Sequence, residues 1–522
     1  MGQSKTCLRQ YLRIRESEFK LNKRSIVIIG AGLAGLSTGI YAQMNGYDSS
    51  IVEHHSKPGG LAAAWRRGEY LIDGGIHFLI AHRPPSPIYD VYTEIGVDVP
   101  ESTVDMKNYL RFVDDTGERE VDFTSDLRQL EHDLIAISPE DEKEIRQFLR
   151  EVEWMKDSPL LTDLGMSAAP PELKGRFDSL KELWQMRGFM KYFYGKYSRP
   201  AAEFAKNFHN PYLRTMFENL FSPDGPIWFV IMILATVGAG QLGLLKGGCP
   251  GFVLPIEQKY KDLGGKIRYN ATVDKILVED DRAVGVLLRD GSEHRADVVV
   301  SAADGRNTIF GLLGGRYVDD RIEKVYGTWK QYDPSVIVSL GVARTFKDAA
   351  PLNMFMLKDT FLLGQRTIKV LPLRVLNYSD VFAPPGKAVI QVMLETDWKY
   401  WTELHNDKDA YDVEKQRVAE MVIQRLERLY PGIRPQIELV DVATPLTTWR
   451  YTLNNRGSPM GWLMTKETLM TQLPRRLPGL DGFYLAGQWI LPGGGVPGCI
   501  YSGRNVVQLL CKEDKRAFRT SA

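Results

Sequence analysis

The sequence predicts an α/β protein: a Rossmann-type, doubly wound domain assembled from separated pieces of chain, with an α+β substrate domain inserted between them. Three observations predict it. A strand-like run at 26–29 is followed by Gly30, Gly32 and Gly35 at G-x-G-x-x-G spacing, and a helical stretch, 36–45, begins at once. A second strand-like run, 49–52, ends in Glu53, close to the roughly 20-residue separation from the last glycine at which such folds carry a ribose-binding carboxylate. Near the other end of the chain a strand-like run enters a second glycine-rich turn, 492–498, with a helical stretch behind it.

Each part of the first motif has a physical task. Gly30 permits the tight turn. Gly32 lacks a Cβ, so backbone can approach a pyrophosphate. Gly35 lets the helix lie close on the sheet. The helix start offers unpaired N–H groups and a partial positive charge to phosphates.

The chain has 522 residues, enough for two or more structural units. It is 44% hydrophobic and 25% charged, which suits a globular protein with sizeable cores. The formal net charge of +1 gives no global field for nucleic acid. Four scattered cysteines form no CxxC pair, so a reducing compartment and no disulfide framework are expected. Residues 1–23 form a basic arm without the apolar core of a secretory signal. The arm reads as a solvated segment, with contact to anionic lipid headgroups as the sharper reading. Met1 to Thr6 also fits the myristoylation pattern. The location expected is cytoplasmic with peripheral membrane contact.

After Glu53 come His54 and His55. No carboxylate or cysteine stands at ligand spacing beside them, so no metal site is expected. Two double glycines follow, Gly59-Gly60 and Gly74-Gly75, where backbone passes close to a bulky ligand. The string G-A-G-L-A-G-L…V-E-H…P-G-G-L-A…D-G-G-I-H resembles the FAD-binding start of the phytoene desaturase, carotenoid isomerase and retinol saturase flavoproteins, within the amine oxidase superfamily. The amine oxidase branch usually has Arg after the first double glycine; Leu61 stands here and points to the carotenoid side.

This resemblance implies a GR2-like flavoprotein fold with FAD as cofactor. It implies that Gly30, Ala31, Gly32, Leu33, Ala34 and Gly35 form the pyrophosphate loop. It implies further that Glu53, followed by His54, holds the adenosine ribose. Gly59, Gly60 and Leu61 would line the pyrophosphate and flavin, and Gly74, Gly75, Ile76 and His77 would lie near the ring.

From about 100 to 221 the pattern turns helical and charged, with a clear apolar face over 141–155. The aromatic-rich stretch 184–197 reads as core, or as a slot for a long apolar substrate. Residues 225–245 carry no charge, but strong hydrophobicity covers only 227–237, so a buried or interfacial helix is expected rather than a span. A second glycine series, Gly238, Gly240 and Gly243, runs into helix breakers and reads as a decoy.

A helix over 252–263 and strands at 266–269, 273–279, 283–288 and 298–301 signal a return to the cofactor domain. By the resemblance, Val273 contacts adenine through its backbone. Asp304 reads as a turn residue. Strands at 335–342, 387–395 and 437–444 surround a helix near 412–429. Residues 444–458 resemble a segment shared by carotenoid desaturases and isomerases. At the end, Gly487, Gln488, Gly494, Gly495 and Val496 resemble the family's C-terminal FAD motif. The family commonly has an acidic residue where Gln488 stands.

The domains expected are therefore 24–105, 246–330 and 471–522 for FAD, with 106–245 and 331–470 for substrate. The chemistry the resemblance implies is hydride exchange between flavin N5 and a hydrophobic polyene or isoprenoid, by desaturation, saturation or cis-trans isomerisation. His77 is the candidate catalytic residue. The alternatives are an amine oxidase-like enzyme and a prenyl-lipid chaperone of the GDP-dissociation-inhibitor type.

Overall fold

The strand Ser25–Ile29 lies at the centre of a five-stranded parallel sheet. The strand order is Lys266–Arg268, Asp48–Val52, Ser25–Ile29, Val298–Ser301 and Phe483–Leu485. Side chains alternate along a strand, so the central one serves two cores. Ile26 and Ile28 pack with the helices Leu33–Met44, Gly248–Asp262 and Gly495–Glu513. Val27 and Ile29 pack with Val273, Ile276, Val286 and Trp462 on the opposite face. A strand buried on both faces must be apolar throughout, as this one nearly is.

The computed structural model describes residues 23–158, 161, 163, 170–175, 186–468, 471 and 473–521. The basic arm up to residue 22, its myristoylation pattern and the start of the aromatic stretch at 184 lie outside the described residues.

A second sheet has seven strands, ordered Ile437–Ala443, Ser335–Val342, Ala388–Glu395, Arg366–Leu376, Leu352–Leu363, Asn108–Val113 and Glu120–Thr124. All its pairings are antiparallel except Leu352–Leu363 with Asn108–Val113. One face is covered by the helix Lys408–Leu429 through Val418, Val422 and Leu426. The other face looks into a large cavity.

The expected strands and helices of both sheets are present, with shifted ends. The first helix starts at Leu33, earlier than expected, because Gly32 already acts as its N-cap. Four strands of the second sheet depart from expectation: Leu352–Leu363 and Arg366–Leu376, whose alternation polar residues break, and Asn108–Val113 and Glu120–Thr124, which lie in the stretch read as helical. The helix Ile227–Gly238 has 12 residues and is mostly buried. Among the described residues no helix is long and apolar enough to cross a membrane. The second glycine series closes this helix and enters the strand Leu242–Leu245, so no helix follows it to bind a phosphate.

Candidate active site

The loop after the central strand is shaped by two glycines. Gly30 has φ +98°, a conformation L side chains rarely adopt. A Cβ on Gly35 would lie 1.9 Å from the Gly30 carbonyl oxygen, so only glycine lets the helix begin this close. Glu53 is 6% exposed and closes on this loop. Its Oε2 accepts the Ala31 N–H at 2.5 Å and its Oε1 accepts the His55 N–H at 2.7 Å. Burial raises the Glu53 pKa, while these two backbone donors pull it back.

Residues expected to act together are brought together here. The Glu53 N–H donates to the Arg268 carbonyl and the Ala271 N–H donates to the Glu53 carbonyl, both at 2.8 Å, and Val273 packs in one core with Val52. The Gly59 N–H donates to the Ala31 carbonyl at 2.8 Å. The C-terminal motif meets the same loop from another side. Ser37 Oγ donates to the Ile500 carbonyl at 2.7 Å, and the Gly487 N–H donates to Ser502 Oγ at 2.6 Å. At Gly503 an added Cβ would lie 2.5 Å from the Ala34 carbonyl oxygen, so the helices Leu33–Met44 and Gly495–Glu513 pack almost backbone to backbone. His54 takes another part: Nδ1 bonds Thr272 Oγ1 at 2.7 Å and Nε2 bonds the Arg450 carbonyl at 2.9 Å. Both ring nitrogens thus serve protein partners.

The cavity has a volume of about 2430 Å³. That exceeds the roughly 300–1,000 Å³ of an ordinary small-molecule site and leaves room for a dinucleotide ring system and a long substrate together. Leu33, Gly60, Leu61, Gly74 to His77, Gln488 and Gly494 to Val496 line it. Gly30, Ala31, Gly32, Ala34, Gly35, Glu53, His54, Gly59, Val273 and Gly487 are not in the lining. Its floor is the second sheet, where Ile368, Val370, Pro372, Arg374 and Leu376 share one face of the strand Arg366–Leu376. The rim carries the exposed side chains of Arg450 and Tyr451, from the segment 444–458.

Between flavin-type glycines and sheet lies a polar knot that sequence reasoning missed. Asp73 Oδ2 accepts the Cys249 N–H at 2.5 Å, capping the helix Gly248–Asp262 from far along the chain. Asp73 Oδ1 accepts the Gly75 N–H and the Cys249 thiol, both at 3.1 Å. Arg374 Nη1 donates to the Asp73 carbonyl at 3.2 Å and to Gln391 Oε1 at 3.1 Å. His77 faces the cavity. Desolvation, and then the Arg374 charge, hold its pKa well below the ordinary imidazole value. It is therefore neutral near pH 7, with one ring nitrogen able to accept a proton.

Asp304 is more than a turn residue. It is 4% exposed and accepts the N–H groups of Asn307 at 2.6 Å and Asn455 at 2.9 Å. It ties the end of the central sheet to the segment 444–458, and burial pushes its carboxyl up to about 6.

The residues present suit a flavin dinucleotide. The helices starting after Gly32 and Gly494 have neither a side-chain cap nor an acidic residue in the first turn, so their N–H groups are available to phosphate. A Cβ on Gly495 would meet nothing within 4 Å, which leaves a cradle open at the second helix start. Among the described residues no group of three His, Cys, Asp or Glu side chains is arranged to hold a metal ion.

A family model described as flavin containing amine oxidoreductase matches residues 33–511. The neurosporene-forming phytoene desaturase of Rhodobacter capsulatus is 26% identical over 514 residues, covering 93% of each chain. The chloroplastic prolycopene isomerase of Arabidopsis thaliana is 27% identical over 277 residues, 52% of this chain and 46% of that one. Among solved structures, an oxidoreductase from Methanosarcina mazei superposes with a TM-score of 0.61 at 17% identity, covering 93% of this chain and 100% of that one.

Proposed function

We infer the function of this chain from its family: it belongs to the flavin-containing amine oxidoreductases and is an FAD-dependent oxidoreductase. The flavin-free chaperone alternative gives way to that membership. The reading we propose beyond it is hydride exchange with a long apolar polyene or isoprenoid. The observation that carries this reading is the cavity itself, one apolar-floored space shared by both glycine-rich helix starts and the second sheet.

Bound FAD supplies a hydride donor or acceptor at flavin N5. Glu53 takes a ribose hydroxyl with the acceptor capacity its two backbone donors leave free. The helix starts at Leu33 and Gly495 take the pyrophosphate and the flavin edge. Residues 24–105, 246–330 and 471–522 make up this FAD domain; 106–245 and 331–470 form the substrate domain. The apolar sheet face holds an extended chain and excludes water, which would otherwise compete for the reacting centre. His77 accepts or returns a proton at its unprotonated ring nitrogen. FAD is held without a covalent tether: burial pushes the Cys499 thiol at the cavity wall up to about 12, which leaves it a poor nucleophile. An amine substrate is disfavoured, since its cationic nitrogen would meet the buried Arg374 charge.

Mass spectrometry of an organic extract of the purified holoprotein tests the substrate class. Enrichment of a conjugated isoprenoid over a control flavoprotein is the expected result; enrichment of an amine instead would overturn it.

A further inference from the structure

We propose that the apolar substrate ends in a carboxylate, and that this group seats on the guanidinium of Arg374 in the cavity floor. The inference rests on the apolar-substrate reading above and narrows it.

Arg374 is 6% exposed and lines the cavity. Among the described lining residues it is the one buried arginine or lysine. Two other lining arginines are answered by carboxylates: Arg67 pairs with Asp441 at 2.7 Å, and Arg366 with Asp333 at 2.7 Å. Arg374 has no such partner among the described residues. It bonds a carbonyl oxygen of Asp73 and the amide oxygen of Gln391, both neutral acceptors. The nearby Asp73 carboxylate keeps its charge but bonds the Cys249 and Gly75 N–H groups and the Cys249 thiol rather than the guanidinium. The guanidinium field is also felt within the cavity, since it depresses the His77 pKa.

A guanidinium has five N–H donors and keeps its charge at ordinary pH. Buried donors that meet no acceptor are costly, and a pure hydrocarbon in this cavity would leave the remaining guanidinium N–H groups unmatched. A carboxylate matches the fork-shaped donor set of arginine and neutralises it. Anchoring one end also sets register: a chain pinned at Arg374 offers the same bond to the flavin on every turnover.

The test is equilibrium dialysis of FAD-loaded protein against geranylgeranoic acid and against its methyl ester. The acid should bind roughly ten- to hundredfold more tightly than the ester. Arg374→Gln should abolish that preference while ester affinity and FAD content stay unchanged, and Arg374→Lys should restore part of it. Equal affinity of wild-type protein for acid and ester would overturn the carboxylate while leaving the apolar reading intact. Binding of neither would overturn both. An Arg374→Gln protein that keeps the acid preference but shows an altered flavin spectrum would assign the arginine to the cofactor and also overturn the proposal. If the variants do not fold, the wild-type comparison of acid and ester still decides.

Discussion

The carboxylate of Glu53 accepts the backbone N–H of Ala31 at 2.5 Å, so the residue that ends the second strand of the parallel sheet closes on the loop that ends the central one. One side chain thereby fixes the glycine loop proposed to hold the pyrophosphate. Glu53→Ala leaves the Ala31 and His55 N–H groups without their acceptor. A hydrogen bond to a charged group is worth about 1.5–3 kcal/mol, so FAD affinity should fall roughly ten- to hundredfold. Titration with FAD, followed by flavin fluorescence, measures this; unchanged affinity would remove Glu53 from the ribose site.

Gly503 stands where two helices touch. A Cβ there would lie 2.7 Å from both the Thr38 N and Oγ1. Gly503→Val should push the helices apart at a cost of about 1–3 kcal/mol, the usual range for overpacking. A lower melting temperature together with lower FAD content is the expected result, read by calorimetry and flavin absorbance. Wild-type values for both would show that the contact yields easily.

His77 is held neutral first by burial and then by Arg374. A proton acceptor whose pKa lies well below 6.5 is already unprotonated at pH 6.5 and stays so at higher pH. Turnover should therefore show no histidine inflection between about pH 6.5 and 8. His77→Gln should slow turnover with FAD content unchanged. Arg374→Gln should move the His77 titration upward, by removing the second cause of its depression. A pH–rate profile with an inflection near 6.5 in wild-type enzyme would contradict this.

Asp304 binds its proton more tightly folded than unfolded. Its folded pKa is about 6 against an ordinary 3.8. Between those values the folded state holds more protons than the unfolded one, so stability falls as pH rises from about 4 to 6. The loss is on the order of 3 kcal/mol when complete. Asp304→Asn should lack this fall, while staying below wild type at about pH 4 because its amide NH2 cannot accept one of the two backbone N–H groups. Urea denaturation across that range checks it; parallel curves for the two proteins would show that the carboxyl titrates normally.

What the sequence disclosed was local. The glycine loops, Glu53 and the helices behind them are signalled by residues within one short stretch, although of the first loop only Leu33 reaches the cavity lining. The second sheet was legible only in part, because it pairs Asn108–Val113 with Leu352–Leu363 across more than half the chain. Periodicity reveals a strand but not its neighbour. Arg374 and Asp73 escaped notice for the same reason. Each looks unremarkable in its own segment, and their relation exists only once the strand Arg366–Leu376 crosses beneath the Gly74-Gly75 turn. Asp304 was read as a turn residue because its partner, Asn455, is equally remote.

Hydride exchange between the flavin and an apolar chain is the reaction proposed for this cavity. Anaerobic stopped-flow absorbance of the flavin band tests it most directly. Oxidised enzyme is mixed with a saturated isoprenoid acid, reduced enzyme with its conjugated counterpart, and oxidised enzyme with a primary amine. The flavin band should change in at least one of the isoprenoid mixtures and not with the amine. A band that bleaches with the amine and stays constant in both isoprenoid mixtures would contradict it.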